Sequence, residues 1–278
     1  MQQDSKLAFA LPHKRIVMSV QYRGDGFHGW QVQPSLRTVQ GDLEAAIASF
    51  SGQKVVVHCA GRTDSGVHAI SQVAHFDIQS QLPPSKWSRV LNGYLQNDVR
   101  IAASSQVSNR WHARFSALWR RYRYTIRIGN SNNAFLSPYC WNRQGQLLDI
   151  AAMQNALAML LGRHSLQALH RSGSSRLDSW VNVQDVSCFC DGSFVIFEIQ
   201  ADGFLYGMVR LLAGILVSVG EHSRSLSEFN EIVSSGRRDL VKYAAPPQGL
   251  CLMGVGYASA PLPVQHQEGI RSQGFPYR

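Results

Sequence analysis

The chain has 278 residues, 45% hydrophobic and 16% charged, with 27 Lys+Arg against 18 Asp+Glu and a net charge of +9. A chain this long withdraws ~75% of its unfolded surface from water, and its 12 Phe, 9 Tyr and 6 Trp exclude an intrinsically disordered polymer. The stretch Leu211 to Val219, apolar but for Ser218, has nine residues, far short of the ~20 that a bilayer span needs, so a membrane protein is excluded as well.

In chain order, the N-terminus is apolar only from Leu7 to Leu11, where Pro12 ends it, and does not read as a secretory signal. Ile16 to Tyr22 alternates Ile16, Met18, Val20 and Tyr22 against Val17, Ser19 and Gln21, a strand pattern. Thr38 reads as the N-cap of a helix with Val39, Leu43, Ala46, Ile47 and Phe50 at helical spacing, and Asp42 in the first turn suits its dipole. Val55 to Cys59 and Val73 to Ile78 read as strands around a glycine-bearing loop. Ser85 is positioned to cap a helix carrying Trp87, Val90, Leu91, Tyr94 and Leu95, and Arg100 to Val107 is a further strand. The order is β-α-β-β-α-β, the ferredoxin-like plan that RNA-recognition modules also use.

The second half repeats the plan. Arg121 to Ile128 puts Tyr122, Tyr124, Ile126 and Ile128 on one strand face and Arg121, Arg123, Thr125 and Arg127 on the other. Asp149 reads as the cap of a helix with Ile150, Met153, Leu157, Leu160 and Leu161 on one side, closed by Gly162. Val181 to Cys190 and Phe194 to Gln200 flank the hairpin turn Asp191-Gly192. Phe204 to Val219 reads as a buried helix, Ser225 with Glu228 as a capping box, and Cys251 to Tyr257 as a final strand. The expected fold is α+β, with two ferredoxin-like halves whose mainly antiparallel sheets join around a central basic cleft. The halves are residues 14–112 and 113–260, and 261–278 is expected to be a flexible tail.

Charge is uneven along the chain. Between Val99 and Leu148 there is no Asp or Glu, while Arg100, Arg110, Arg114, Arg120, Arg121, Arg123, Arg127 and Arg143 fall there. Arginine interleaved with Trp111, Phe115, Trp119, Tyr122 and Tyr124 suits phosphate contact and base stacking. No basic amphipathic helix accompanies it, which favours nucleic acid over anionic lipid. Five cysteines without regular spacing point to reduced thiols in the cytoplasm.

Some motifs are decoys. Gly24-Asp25-Gly26-Phe27-His28-Gly29 matches GxGxxG, but a dinucleotide loop opens directly into a helix, and here Trp30 to Pro34 intervene. His58, His68 and His75 lack the compact spacing of a zinc site, so no metal is expected.

Two features carry chemistry. In Ala60-Gly61-Arg62-Thr63-Asp64-Ser65-Gly66-Val67-His68-Ala69, two glycines allow a tight path and Arg62 stands two residues from Asp64. A carboxylate held beside a guanidinium stays ionised at pH 7 and is oriented, which suits a nucleophile. The same spacing is also met by an Asx-turn aspartate that only shapes its loop. The second feature is Arg210, the one charge between Phe204 and Val219. A buried unpaired charge costs several kcal/mol, so Arg210 needs a carboxylate or phosphate. Asp64 is the expected partner; Asp202, Glu221 or a snorkelling side chain are the alternatives.

These residues also carry a resemblance. Tyr22-Arg23-Gly24, Gly29 to Pro34 and Thr38-Val39-Gln40-Gly41 resemble the opening motif of TruA-type tRNA pseudouridine synthases. Ala60 to Ala69 with Gln72-Val73 resembles their catalytic-aspartate motif. His112 to Ala117, Arg121 to Tyr124, Phe204-Leu205 with Met208 to Arg210, and Ala245-Pro246-Pro247 with Gly249-Leu250 resemble the remaining signatures, in order. Arg23 stands where the family has Asp, Trp111 where it has Phe, and the stretch from Gly162 to Val183 departs most. The resemblance implies isomerisation of uridine to pseudouridine in the anticodon stem-loop of tRNA by a homodimer, without metal or nucleotide cofactor. It implies Asp64 as nucleophile, Tyr122 packing on the target base, Arg210 pairing with the aspartate, Leu250 lining the base pocket and Arg62 as an RNA or base-flipping contact. Arg114, Arg120, Arg121, Arg123 and His112 are the expected RNA contacts. Attack at C6 of the ring or at C1′ of the ribose uses the same carboxylate and both stay open. The alternative function is a non-catalytic tandem RNA-binding protein; against it, no RNP1-type aromatic run is present.

Overall fold

The computed structural model describes residues 12–130, 133–171, 178–241 and 243–262. The first half runs β1 (His13–Tyr22), α1 (Val39–Ser51), β2 (His58–Cys59), β3 (His68–Gln79), α2 (Trp87–Leu91) and β4 (Val99–Val107). The second runs β5 (Ala117–Arg127), β6 (Trp141–Asn142), α3 (Ile150–Ala158), β7 (Gly162–Ser165), β8 (Trp180–Asp191), β9 (Phe194–Ala201), α4 (Met208–Gly220), α5 (Leu226–Ser235) and β10 (Leu250–Tyr257). Local chemistry sets the helix starts. Thr38 Oγ1 accepts the Gly41 N–H, Asp149 accepts the Ala152 N–H, and Ser225 with Glu228 forms a reciprocal box.

Several elements differ from expectation, each for a visible reason. The strand expected over 55–59 pairs only at His58 and Cys59, because the Val57 N–H donates instead to Glu44 of α1. β3 begins at His68, five residues before the expected Val73. Ser85 caps no helix: Pro84–Lys86 forms a 3-10 turn, and α2 has only five residues. α4 begins at Met208 rather than Phe204, since Gly207 takes φ 71°, a left-handed conformation that interrupts the helix. Gly162 opens β7 instead of closing α3. Residues 172–177 of the divergent 162–183 stretch and the tail beyond Leu262 lie outside the described residues.

The strands form one ten-stranded sheet ordered β4-β1-β3-β10-β5-β9-β8-β7, with β2 on β3 and β6 on β5. Two expected sheets are therefore continuous. They meet where β10 runs parallel to β3 through Cys251↔His68 and Leu252↔Ala69, while its other edge pairs antiparallel with β5. The order 4-1-3-2 occurs twice: β4-β1-β3-β2 and β10-β5-β9-β8. A single core on one sheet face joins Ile16, Met18 and Phe76 to Leu43, Leu157, Leu212 and Phe229 of the helices. Burying a side chain of this size contributes about 1.5–3 kcal/mol, so this face dominates stability. A small second cluster, Val17, Ala60, Val73, Ala103 and Leu262, lies on the other face.

Candidate active site

The loop of residues 60–67 leaves the sheet after β2 and returns at the start of β3. It leaves because β10 occupies the edge of β3 at His68 and Ala69, which β2 occupies further along at Ala74 and His75. The ladder bonds it loses are replaced by side chains and by the 24–30 segment. Gln72 Nε2 donates to Gly61 O at 2.6 Å, and the Gly61 N–H donates back to Gln72 Oε1 at 3.3 Å. The hydroxyls of Tyr22 and Thr63 share a buried hydrogen bond of 2.8 Å. Thr63 O accepts the Trp30 N–H at 3.0 Å, and Phe27 O accepts the Gly66 N–H at 3.3 Å. Satisfied buried polar groups of this kind fix a loop in one arrangement, because breaking any one leaves an orphan.

That arrangement presents Asp64 to the second half. Arg210 Nη1 donates to Asp64 Oδ2 at 3.1 Å, and both side chains are largely buried, 15% and 18% exposed. Arg210 is itself strapped: its Nε donates to Ala245 O at 2.8 Å, and the Ala245 N–H donates to Arg210 O at 2.9 Å. Neither Asp202 nor Glu221 pairs with it; Glu221 pairs with Arg143. Arg62, whose neighbouring position suggested that it would hold Asp64, is exposed and makes no hydrogen bond or ion pair among the described residues. Pro247 packs on Gly66, which brings the turn ending in Leu250 against the loop, and Leu250 is buried as the first residue of β10.

Tyr122 completes the group. Burial pushes its phenol well above the ordinary value, with a smaller push from Asp64, so it keeps its proton. Its hydroxyl has no hydrogen-bond partner among the described residues, and its ring meets Phe204 edge-on with centroids 4.8 Å apart. The Asp64 carboxylate is thus clamped by the Arg210 guanidinium, within electrostatic reach of the protonated Tyr122 phenol.

The expected RNA contacts divide. Arg120 is 7% exposed and its guanidinium donates to Ala60 O, Arg114 O and Asp202 O, so burial lowers its pKa and it serves as an internal clamp. Strand alternation places Arg121 and Arg123 on the sheet face opposite Tyr122. There Arg121 pairs with Asp185 at 2.7 Å and Glu198 at 3.2 Å, and Arg123 with Glu198 at 2.7 Å. The expected basic cleft is thus neutralised along β5. Arg114 remains exposed against the Phe115 ring, and His112 sits beside it.

Reading the sequence missed Tyr22 and Gln72 as supports of the loop. The available signal was a glutamine at an inward strand position, where the alternation calls for an apolar residue. Among the described residues no group of three or more His, Cys, Asp or Glu is arranged to hold a metal, and no helix is long and apolar enough to cross a membrane.

A sheet in which one strand order occurs twice, with an aspartate loop of one half clamped by an arginine of the other, defines a class of two-part α+β proteins. Within that class, a family model described as tRNA pseudouridine synthase matches residues 18–116 and 156–258, and the chain belongs to this family. It is 54% identical over 250 residues to a tRNA pseudouridine synthase A of Rippkaea orientalis, covering 90% of this chain and 85% of the relative. It is 53% identical over 251 residues to one from a Synechocystis species, covering 90% and 91%. One of Gloeobacter violaceus is 46% identical over 248 residues, covering 89% and 82%.

Proposed function

We propose that this chain isomerises uridine to pseudouridine in the anticodon stem-loop of tRNA, with Asp64 as the nucleophile. The observation that carries the reading is the ion pair between Asp64 and Arg210 beneath Tyr122. In the reaction the N1–C1′ bond breaks, the uracil turns, C1′ bonds to C5, the C5 proton leaves to solvent and N1 takes up a proton, so the product is an isomer of the substrate. The uridine must first leave its stack, at a cost of a few kcal/mol. Arg62, which is exposed on the loop, contacts the RNA or fills the space the base vacates. Tyr122 packs on the turned-out base, Leu250 lines its pocket and Arg210 orients the carboxylate. The same carboxylate serves attack at C6 or at C1′. His112 and Arg114 contact the RNA, and affinity falls steeply with salt because phosphate contacts release counterions. The reading includes action as a homodimer in the cytoplasm, with the halves divided between residues 112 and 113.

Primer-extension mapping of pseudouridine tests it, using unmodified tRNA incubated with the protein. New stops confined to the anticodon arm are expected. Tight tRNA binding with no new stop would replace this reading with that of a non-catalytic RNA-binding protein.

A further inference from the structure

Beside the loop, on the sheet face away from the helices, a run of rings leads to the surface. His58 and His75 stack with centroids 5.2 Å apart, His112 meets His75 at 4.6 Å, and Phe115 lies 4.4 Å from His112. The run ends in the open: Phe115 is 77% exposed. Nor is its turn loose. The His112 N–H donates to Ser116 Oγ at 2.9 Å, and the Ser116 N–H donates to His112 O at 2.9 Å. His112 Nδ1 accepts the N–H groups of Arg114 at 3.0 Å and Phe115 at 3.4 Å. His75 Nδ1 accepts the Ala113 N–H at 3.2 Å, which anchors the turn to β3.

These acceptors fix the chemistry. An imidazole that accepts at Nδ1 carries its proton on Nε2 when neutral. The Nε2–H of His112 is then a donor, and it has no protein partner among the described residues. The same tautomer leaves no Nε2 lone pair for a metal. The Arg114 guanidinium lies over the Phe115 ring at 5.7 Å. One guanidinium ties the turn to the nucleophile loop: Arg120 Nη2 donates to Arg114 O at 2.6 Å and to Ala60 O at 2.9 Å.

A rigid, exposed ring with the Arg114 cation over it and no acidic residue from Val99 to Leu148 is matched by an unpaired nucleobase and its phosphate. An apolar protein surface would bury this cation without a partner. We propose that Phe115 is a stacking platform for an unpaired base near the target uridine, with His112 Nε2–H and Arg114 donating to that nucleotide's acceptors. This rests on the proposed function, since it takes the substrate to be tRNA.

Phe115→Ala and Phe115→Trp, each checked for an unchanged melting temperature, are compared with Asp64→Asn on one unmodified tRNA. Loss of a base–aromatic stack is expected to raise KM and Kd of Phe115→Ala roughly tenfold or more while kcat is retained. Phe115→Trp is expected to restore affinity, and its indole fluorescence to be quenched when tRNA binds. Wild-type KM in Phe115→Ala, or a Trp signal blind to tRNA, overturns the platform. So does a changed sedimentation coefficient with unchanged tRNA affinity, which would make this face a protein interface. If these failures occur while Asp64→Asn is inactive, only the platform falls; if Asp64→Asn turns over normally, the proposed function itself falls.

Discussion

The connection between the second and third strands of the repeated order is built twice, in opposite ways. Between β8 and β9 it is a tight turn, with Asp191↔Phe194 the last pair and Gly192 at φ 59°. Between β2 and β3 pairing is limited to His58↔His75 and Cys59↔Ala74, and residues 60–67 form an open loop. In one case the backbone satisfies itself. In the other, β10 displaces the ladder, and Gln72, Tyr22 and the carbonyls of Phe27 and Thr63 supply what is lost. An open but fixed loop is obtained here by denying a strand its edge and refilling the hydrogen bonds from side chains. The carboxylate it frees is then held by the other half.

That contrast can be broken at several points. Among residues that hold rather than attack, Arg210 is expected to matter most. Arg210→Gln removes the cation beside Asp64, and kcat should fall by ~10²–10³, the usual scale for losing one preorganised electrostatic contact. Arg210→Lys should recover part of it, because the charge returns but the planar fork that also reaches Ala245 does not. Single-turnover rates on unmodified tRNA read both.

Next is the pH dependence of stability around the short β2–β3 pairing. Burial, assisted by His112, Arg15 and His58, lowers the pKa of His75 to about 3. A histidine whose folded pKa lies below its unfolded value of ~6.5 gives stability that is intact above ~6.5 and is lost as pH falls toward the folded pKa. The slope is about 1.4 kcal/mol per pH unit within that window. Urea titrations at pH 6 and pH 4.5 should therefore show a smaller loss in His75→Asn, which keeps an acceptor near the Nδ1 position but does not titrate.

The smallest effects separate the two connections. Gly66 has φ 79°, and a Cβ there would lie 2.8 Å from Pro247. Gly66→Ala should cost about 1–2 kcal/mol of left-handed strain and also lower kcat, because the loop and the 247–250 turn must part. Gly192 has φ 59° with nothing within 4 Å of a Cβ. Gly192→Ala should cost about 1 kcal/mol and leave kcat intact. Equal kinetic effects at both glycines would remove the distinction drawn between them.

Much of this was legible in the chain because its causes are local. The caps at Thr38, Asp149 and Ser225 depend on neighbours within four residues. Arg210 announced a need for an anion because it stands alone among apolar residues, with Asp64 the expected partner and Asp202 and Glu221 the alternatives. What stayed hidden depends on distant partners. The carboxylates that occupy Arg121 and Arg123 arrive from β8 and β9, and the carbonyls that hold Arg120 come from positions 60, 114 and 202. The shortness of β2 has two distant causes, the Val57 N–H given to Glu44 of α1 and the parallel arrival of β10, a contact through two residue pairs that leaves no periodic mark.

The central claim concerns the oxygen atoms of one side chain. Tritium release from C5-labelled uridine in the anticodon arm, followed in a single turnover with Asp64→Asn, tests it most directly. The account predicts that this variant still binds tRNA and releases no tritium. Release at close to the wild-type rate would contradict it.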